Sequence, residues 1–227
     1  MRPGRVIGVV GVESTGKTTL ARALASALDR PGRRAAYVPE FLREFCDGAG
    51  RTPRRDEQAG IAAEQTRRID AAAAEHELVV ADTTALMIAV YSDWVFGDAS
   101  LYARAAQDHR RCALTLLTGL DIAWMPDGLQ RDGPQVRAPI DALLRAALDA
   151  AGVAYSVVSG LGQARTAVAL RAVEHAFGEA APAPVPASPA SPASPAALGG
   201  RPVWRHVCER CGDPACERRL LAAPPLR

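Results

Sequence analysis

Lysine is almost absent from this chain of 227 residues, because Lys17 is the only lysine among its 27 basic side chains. Those 27 residues nearly balance 25 acidic ones, and the net charge of +2 gives no basic surface of the kind that binds nucleic acid. A chain that otherwise uses arginine and keeps one lysine indicates a position that needs a compact point charge instead of a planar guanidinium group.

Long apolar runs are also missing, and cysteine is scarce. No run of about 18 apolar residues occurs, so we expect neither a membrane-spanning helix nor a membrane partner. The first five residues lack the layout of a signal peptide. Two of the five cysteines are scattered and three are close together, which is not a disulfide framework and favours a reducing cytoplasm. They are Cys46, Cys112, Cys208, Cys211 and Cys216.

Apolar residues nevertheless make up 48% of the chain, enough for a buried core. Short apolar segments alternate with segments of helical periodicity, which predicts a parallel sheet covered by helices on both faces, a three-layer αβα fold. The predicted strands are residues 5–10, 35–38, 78–81, 113–117 and 155–158. The predicted helices are residues 17–28, 52–76, 84–92, 99–110, 139–150 and 163–177, with Thr52 and Pro53 starting the second.

Residues 11–18 read Gly-Val-Glu-Ser-Thr-Gly-Lys-Thr and match the phosphate-binding pattern G-x-x-x-x-G-K-[ST], between a predicted strand and a predicted helix. Its glycines let successive backbone N–H groups face a phosphate, and the helix directs its positive end there. Lys17 is expected to reach the β- and γ-phosphates, and the Thr18 hydroxyl to bind Mg²⁺. The predicted ATP-binding residues of this P-loop are Gly11, Glu13, Ser14, Thr15, Gly16, Lys17, Thr18 and Thr19.

Asp82 is the expected second Mg²⁺ ligand. It ends an apolar strand, as the magnesium-coordinating carboxylate does in P-loop proteins, and the two strands would end at the same edge of the sheet. The alternative is that Asp82 caps the helix that follows.

Several further stretches, in order along residues 1–177, make the chain resemble the NadR-like P-loop kinases. This family includes the ribosylnicotinamide kinase domain of NadR proteins and is often described as an AAA-type ATPase domain. The stretches are Gly-Val-Glu-Ser-Thr-Gly-Lys-Thr-Thr-Leu-Ala at 11–21, Pro-Glu-Phe-Leu-Arg-Glu at 39–44, Ala-Asp-Thr at 81–83, Trp-Val-Phe-Gly-Asp at 94–98, Asp-Ile-Ala-Trp at 121–124 and Asp-Gly-Leu-Gln-Arg-Asp-Gly at 127–133.

The resemblance implies a P-loop NTPase fold and ATP-dependent phosphorylation of the 5′-hydroxyl of nicotinamide riboside, a step of NAD biosynthesis. The adenylyltransferase domain that NadR proteins carry upstream is expected to be absent, since the phosphate-binding strand is predicted to start at residue 5. Two alternatives stay open: a kinase for another nucleoside or small metabolite, and an ATP-binding regulatory or sensor module without turnover.

Glu40 ends the second predicted strand, beside the phosphate loop, where an acidic residue of small-nucleoside kinases holds the sugar and accepts the hydroxyl proton. The alternative is a solvated loop carboxylate or an ion-pair partner of Arg43. Arg43, a candidate substrate residue, and Glu44 are expected to orient that loop. Lys17, Glu40, Asp82 and Arg131 are the predicted catalytic residues.

Three more residues are candidates for substrate binding. Trp94, predicted to follow the helix after Asp82, and Trp124, after the fourth strand, could stack on a flat heterocycle, and a cationic pyridinium suits an indole face. The alternative for both is core packing. Asp121 either holds the substrate or shapes its loop.

Residues 127–137 are polar and rich in Gly and Asp, where related kinases carry a lid. Arg131 and then Arg137 are the candidates to contact ATP phosphates on closure, and a solvated surface loop is the alternative. Adenine is expected near residues 159–162, where backbone groups can bind it.

The end of the chain differs in composition from the P-loop domain at residues 1–178. Residues 179–200 form a Pro/Ala/Ser-rich linker that can bury no core, and residues 201–227 a short tail. The C-x-x-C spacing suits tetrahedral zinc, whereas an iron–sulfur cluster wants a fourth thiolate and unligated cysteines are the third option. We expect a structural or recruiting role for the tail; the oligomeric state stays open, homo-oligomers included. The candidate zinc ligands are His206, Cys208, Cys211 and Cys216.

Overall fold

The computed structural model of the chain describes residues 3–125 and 133–178. Strands and helices alternate along this part of the chain. The strands are β1 (Arg5–Val10), β2 (Ala35–Val38), β3 (Leu78–Asp82), β4 (Leu114–Thr118) and β5 (Ser156–Val158). The helices are α1 (Lys17–Leu28), α2 (Phe41–Ala49), α3 (Gln58–Glu75), α4 (Ala85–Phe96), α5 (Tyr102–His109), α6 (Arg137–Ala150) and α7 (Gly162–Phe177).

The five strands form one parallel sheet in the order β2-β3-β1-β4-β5. β1 is therefore central, and the loop that follows it opens at the carboxyl edge of the sheet, where ligands bind in folds of this kind. In the register of β1 with β3, Val9 lies opposite Asp82. The parallel sheet with helices on both faces confirms the predicted α/β fold class.

Both faces of the sheet are buried, as the continuous apolar strands require. On one face, Ile7 and Val9 pack with the apolar residues of α1 and α7. On the other, Val10 packs with α4 and α6. Since successive side chains of a strand point to opposite faces, β1 contributes to both halves of the core.

The structure corrects several predicted boundaries. The sequence reading treated residues 41–49 as a loop, but they form helix α2, with Glu40 and Gly50 as its flanking residues. The predicted start of the second helix at Thr52 is wrong, because a 3₁₀ turn at Arg55–Glu57 comes first and this helix, α3, begins at Gln58. Helix α4 continues to Phe96 instead of ending at residue 92. Helix ends are the least certain part of a reading from sequence, because local signals are weakest there.

Among the described residues, no helix combines the length and the apolar character that crossing a bilayer requires.

Candidate functional site

The phosphate loop, residues 11–18, begins directly after β1, and its last two residues are the first two of α1. Ser14 has φ 57° and Gly16 φ 73°, so the backbone bends through the left-handed region twice before the helix begins. A side chain at Gly11 would meet Thr118 of β4, because an added Cβ would lie 2.0 Å from its Oγ1. The loop is thus pressed against the neighbouring strand, and its tight turn needs glycine at that point.

Hydrogen bonds hold this loop in shape. Thr15 Oγ1 donates to Val12 O at 2.7 Å and lies 2.7 Å from Thr118 Oγ1. Lys17, at the first position of α1, donates from Nζ to Val12 O at 3.0 Å. The ammonium group therefore curls back over the loop, where a bound phosphate would compete for it.

A buried arginine supports the loop from α7. Arg165 donates to Thr15 O and to Gly160 O, both at 2.9 Å, and so links the phosphate loop to the connection after β5. Asp121 accepts the Gly160 N–H at 2.6 Å and lies 3.5 Å from Arg165. In this structure Asp121 shapes the loop, which is one of the two roles predicted for it, and its substrate role stays a prediction.

Asp82 lies at the end of β3, directly beside β1, and is almost fully buried. Tyr37 donates its hydroxyl to Asp82 Oδ2 at 3.1 Å, whereas Oδ1 has no hydrogen-bond partner within residues 3–125 and 133–178. A buried carboxylate oxygen without a partner is costly unless it binds something else. Asp82 therefore fits a cation, and with the Thr18 hydroxyl at the helix start it supplies the hard oxygen ligands that Mg²⁺ prefers.

The connection from Asp82 into α4 is tightly held. Thr83 has φ 75°, an unusual backbone conformation for a β-branched residue, and its N–H donates to Val9 O. Thr84 shares a hydrogen bond of 2.9 Å with Nδ1 of the buried His109, whose Nε2 lies 3.0 Å from Thr115 Oγ1. Burial lowers the pKa of His109 to about 4, so the ring is neutral at physiological pH.

Glu40 lies between β2 and α2, and β3 separates its strand from β1. In the sheet, β3 occupies the position next to β1, and the place of Glu40 beside the phosphate loop stays a prediction. The charge of Glu40 still belongs to the site: burial raises the pKa of its carboxyl group, Lys17 opposes the rise and Asp82 adds to it. Arg43 lies 3.9 Å from this carboxylate. This ion pair is the alternative to a substrate role that the sequence analysis gave for Glu40.

Helix α2 carries both residues that were expected to orient a loop. Arg43 and Glu44 lie in its first turn. Glu44 forms two hydrogen bonds to Arg68 of α3, at 2.5 and 3.0 Å, and these hold the pKa of its carboxyl group below the usual value. Glu44 thus fastens α2 to α3, and Arg43 stays the candidate for contact with substrate.

Glu13 of the phosphate loop contacts two aromatic side chains. Trp124 donates from Nε1 to Glu13 Oε1 at 3.3 Å, and the Glu13 N–H donates to the hydroxyl of Tyr91 at 3.2 Å. Trp94 lies within α4 and does not follow it, three residues after Tyr91 and thus on the same side of the helix. Its side chain is partly exposed, which fits a binding surface better than core packing.

Arg137 was expected in a lid, but it lies in a helix and bonds to the backbone of the protein. It is the first residue of α6, two positions before the predicted start, and its buried guanidinium donates to Ile122 O at 2.8 Å and to Leu120 O at 3.3 Å. These bonds fasten the segment after β4, and contact with ATP stays a prediction. Arg131 lies outside the described residues, as does most of the predicted lid.

The predicted linker and tail also lie outside the described residues. Within residues 3–125 and 133–178 no cluster of three or more His, Cys, Asp or Glu side chains could hold a metal ion. Zinc in the tail stays a prediction, which metal analysis of the full chain tests. The residues concerned are His206, Cys208, Cys211 and Cys216.

Sequence reasoning missed four site residues. Tyr37 donates a hydrogen bond to Asp82, and Tyr91 accepts one from the Glu13 N–H. Arg165 bonds to the phosphate loop, and Gln65 bonds both to the connection after β2 and to the connection after β3. The rarity of tyrosine, with four in the chain, was a signal for the first two. Arg165 and Gln65 lie on helices among many residues of similar type, and no spacing distinguishes them.

The phosphate loop after the central strand and the carboxylate at the end of its neighbour define a P-loop nucleotide-binding protein. A family model described as an AAA domain matches residues 6–165, and the chain belongs to this family. A comparison with curated protein sequences gives no match.

Solved structures with the same fold include two of NadR protein. One, in complex with NR, has 21% identity and a TM-score of 0.64 over 77% of this chain and 52% of that chain. The other, in complex with NAD and AMP-PNP, has 20% identity and a TM-score of 0.61 over 79% and 51%. This chain thus spans about half the length of these NadR structures.

Thymidylate kinase from Ehrlichia chaffeensis has the fold as well, with 14% identity and a TM-score of 0.53 over 76% of this chain and 99% of that chain. The family match and the fold shared with the NadR structures bear out the predicted resemblance at the level of family and fold.

Proposed function

We propose that this chain is an ATP- and Mg²⁺-dependent kinase for a small nucleoside-like substrate, with nicotinamide riboside as the preferred acceptor. The observation that carries the proposal is that Asp82, with a buried carboxylate oxygen that has no partner among the described residues, ends the strand next to the one that leads into the phosphate loop. Lys17 and Asp82 also both act on the pKa of the Glu40 carboxyl group, which places a second, partly buried carboxylate near this point.

On the phosphate side, the loop amides and the start of α1 would bind the triphosphate, and Lys17 would exchange its bond to Val12 O for the β- and γ-phosphates. Thr18 and the free oxygen of Asp82 would hold Mg²⁺, which supplies positive charge that offsets the charge of the transferring phosphoryl group. Tyr37 keeps the other Asp82 oxygen in place.

On the acceptor side, Glu40 would orient the attacking hydroxyl and accept its proton. Burial raises the pKa of the carboxyl group, which makes Glu40 a better base than an exposed glutamate, and Lys17 opposes this rise. Arg43, 3.9 Å from Glu40, would balance the charge of the carboxylate until Glu40 accepts the proton.

The preference for nicotinamide riboside rests on charge and aromaticity. Its pyridinium ring is a cation, and the cluster of Glu13, Tyr91 and Trp124 offers a carboxylate and aromatic faces beside the phosphate loop. The NadR structures in complex with NR and with AMP-PNP support the same choice through a shared fold. The reaction would belong to NAD biosynthesis in the cytoplasm.

The experiment is a screen of nucleosides and nucleoside monophosphates for ATP-dependent phosphorylation by the full chain. We expect transfer to nicotinamide riboside, with no transfer by Lys17→Ala and normal transfer by Arg171→Ala, which removes an exposed cation from α7. Tight Mg²⁺–ATP binding without transfer to any acceptor would favour a sensor module instead. Transfer to a different acceptor would support the kinase activity and contradict the choice of nicotinamide riboside as substrate.

A further inference from the structure

Gln65 of α3 lies between the two connections that carry the functional carboxylates. Its side chain is fully buried in the middle of the helix. Oε1 accepts the Phe41 N–H at 2.7 Å, while Nε2 donates to Pro39 O and to Thr83 O, both at 3.3 Å. One amide group therefore contacts the residues on either side of Glu40 and the residue that follows Asp82.

These partners fix the amide in one orientation. A backbone N–H can only donate and a carbonyl oxygen can only accept, so Oε1 must face Phe41 and Nε2 must face the two carbonyls. The same three bonds cannot be made by a carboxylate, which has no donor, or by an apolar side chain. Glutamine is thus required by the geometry and is not simply tolerated in the core.

The sheet order explains why such a link matters. β2 lies at the edge of the sheet and is not paired with β1, so the strand ladder positions Glu40 relative to the phosphate loop only through β3. The Thr83 backbone also adopts the left-handed conformation, with φ 75°, which has to be held by its surroundings. Gln65 spans both connections at the point where they leave the sheet.

We propose that Gln65 is a positioning residue that sets the placement of Glu40 relative to Asp82, so that its loss slows phosphoryl transfer while ATP still binds. The assignment rests on the proposed kinase function. Gln65 touches neither phosphate loop nor catalytic side chain directly, and it acts through the backbone on each side of Glu40 and after Asp82.

The test compares Gln65→Met with Gln58→Met. Gln58 is also buried on α3, seven residues earlier on the same face, so the control loses the same amide from the same helix. We expect the kcat of Gln65→Met to fall by about 30- to 100-fold, as expected for a displaced catalytic group, with the KM for ATP within about threefold of wild type. A kcat within about threefold of that of Gln58→Met would overturn the proposal.

A second variant separates positioning from packing. Gln65→Glu keeps the shape, but its carboxylate faces two carbonyl oxygens and adds charge near Glu40, Asp82 and the Glu64–Arg68 ion pair. Once protonated, the introduced carboxyl group donates one hydrogen bond and accepts another. The activity of Gln65→Glu relative to wild type should therefore rise as the pH falls, and a ratio independent of pH would contradict the proposal. If Gln65→Met does not fold, the pH dependence of Gln65→Glu tests the proposal by itself.

A further measurement distinguishes failure of the positioning role from failure of the proposed kinase function. If wild-type protein phosphorylates no acceptor, exchange of the Phe41 backbone N–H with solvent is measured instead. An increase of about tenfold or more in Gln65→Met but not in Gln58→Met would keep the positioning role, since that bond is lost. Equal exchange in both variants would reject it.

Discussion

The phosphate side and the acceptor side of this site are built in different ways. The phosphate loop uses eight consecutive residues, 11–18, and the expected phosphate contacts are mostly backbone N–H groups and one lysine. The proposed acceptor side collects Glu40, Trp94 and Trp124 from separate connections or helices, and Gln65 bonds to the backbone on each side of Glu40.

The difference indicates how each side can change during evolution. Backbone groups bind any triphosphate, and the loop tolerates little variation because glycines set its shape. Side chains on separate elements can be replaced one at a time, which changes the acceptor without affecting ATP binding. If this separation holds, substitutions on the phosphate side abolish all activity, whereas those on the acceptor side alter rate or selectivity.

The largest effect is expected for Lys17→Arg. The guanidinium group keeps the charge but is larger and planar, and it does not fit where the ammonium group reaches the loop carbonyl of Val12 at 3.0 Å. We expect transfer to fall by at least about 100-fold for every acceptor, measured by coupled assay. Activity within tenfold of wild type would mean that a point charge is not required at this position.

Glu40→Gln tests the acceptor side with the phosphate side intact. We expect kcat to fall by about 100-fold or more, because the base is lost, while calorimetry gives an unchanged affinity for Mg²⁺–ATP. In wild type the unprotonated carboxylate is the active form, and burial raises its pKa, so kcat/KM should fall with decreasing pH sooner than an ordinary glutamate would allow.

The control for Glu40→Gln is Glu44→Gln, which removes a carboxylate from the first turn of α2 where it bonds to Arg68. It should leave kcat and the pH profile nearly unchanged. An acidic limb that persists in Glu40→Gln would assign the proton acceptor to another group.

Gly11→Ala tests how rigidly the phosphate loop is specified. The added methyl group would lie 2.0 Å from Thr118 Oγ1, at a φ of 148°, so we expect the free energy of unfolding to fall by about 1–3 kcal/mol. Urea denaturation measures it. Gly60→Ala, on an open side of α3, should instead stabilise the protein by about 0.5–1 kcal/mol. Equal effects of both substitutions would show that the loop accepts a side chain.

The smallest effect concerns selectivity. Glu13→Gln removes the carboxylate beside Trp124, so the KM for a cationic acceptor such as nicotinamide riboside should rise by about 3- to 10-fold, while a neutral nucleoside is unaffected. Trp124→Phe, which keeps a ring but loses the bond to Glu13, should give the same trend. A parallel loss for neutral and cationic acceptors would show that Glu13 acts on the phosphate loop instead.

Sequence reading identified the phosphate loop and its flanking elements because their information is local. The boundaries of β1 and α1 agree with the structure, since an apolar strand, a glycine-bounded turn and an apolar stripe of Leu20, Leu24 and Leu28 follow one another without interruption. Asp82 was found for the same reason, at the end of an apolar strand.

The differences from the sequence reading have separate causes. Helix α2 is short, and its apolar residues Phe41, Leu42, Phe45 and Cys46 do follow a helical repeat, which the sequence reading missed. Arg137 was taken as a lid residue on the strength of its charge, but its partners are backbone carbonyls 15 and 17 residues away. Charge along the chain does not reveal whether a guanidinium group faces phosphate or protein.

The sequence by itself determined that a triphosphate-binding loop follows a buried strand, because eight adjacent residues contain that chemistry. Only the tertiary structure decided the order of the strands, which puts β3 between β2 and β1, and the convergence of Gln65, Tyr37 and Arg165 on the site. The physical reason is that hydrogen bonds between distant side chains and backbone groups form only once the sheet and helices have packed.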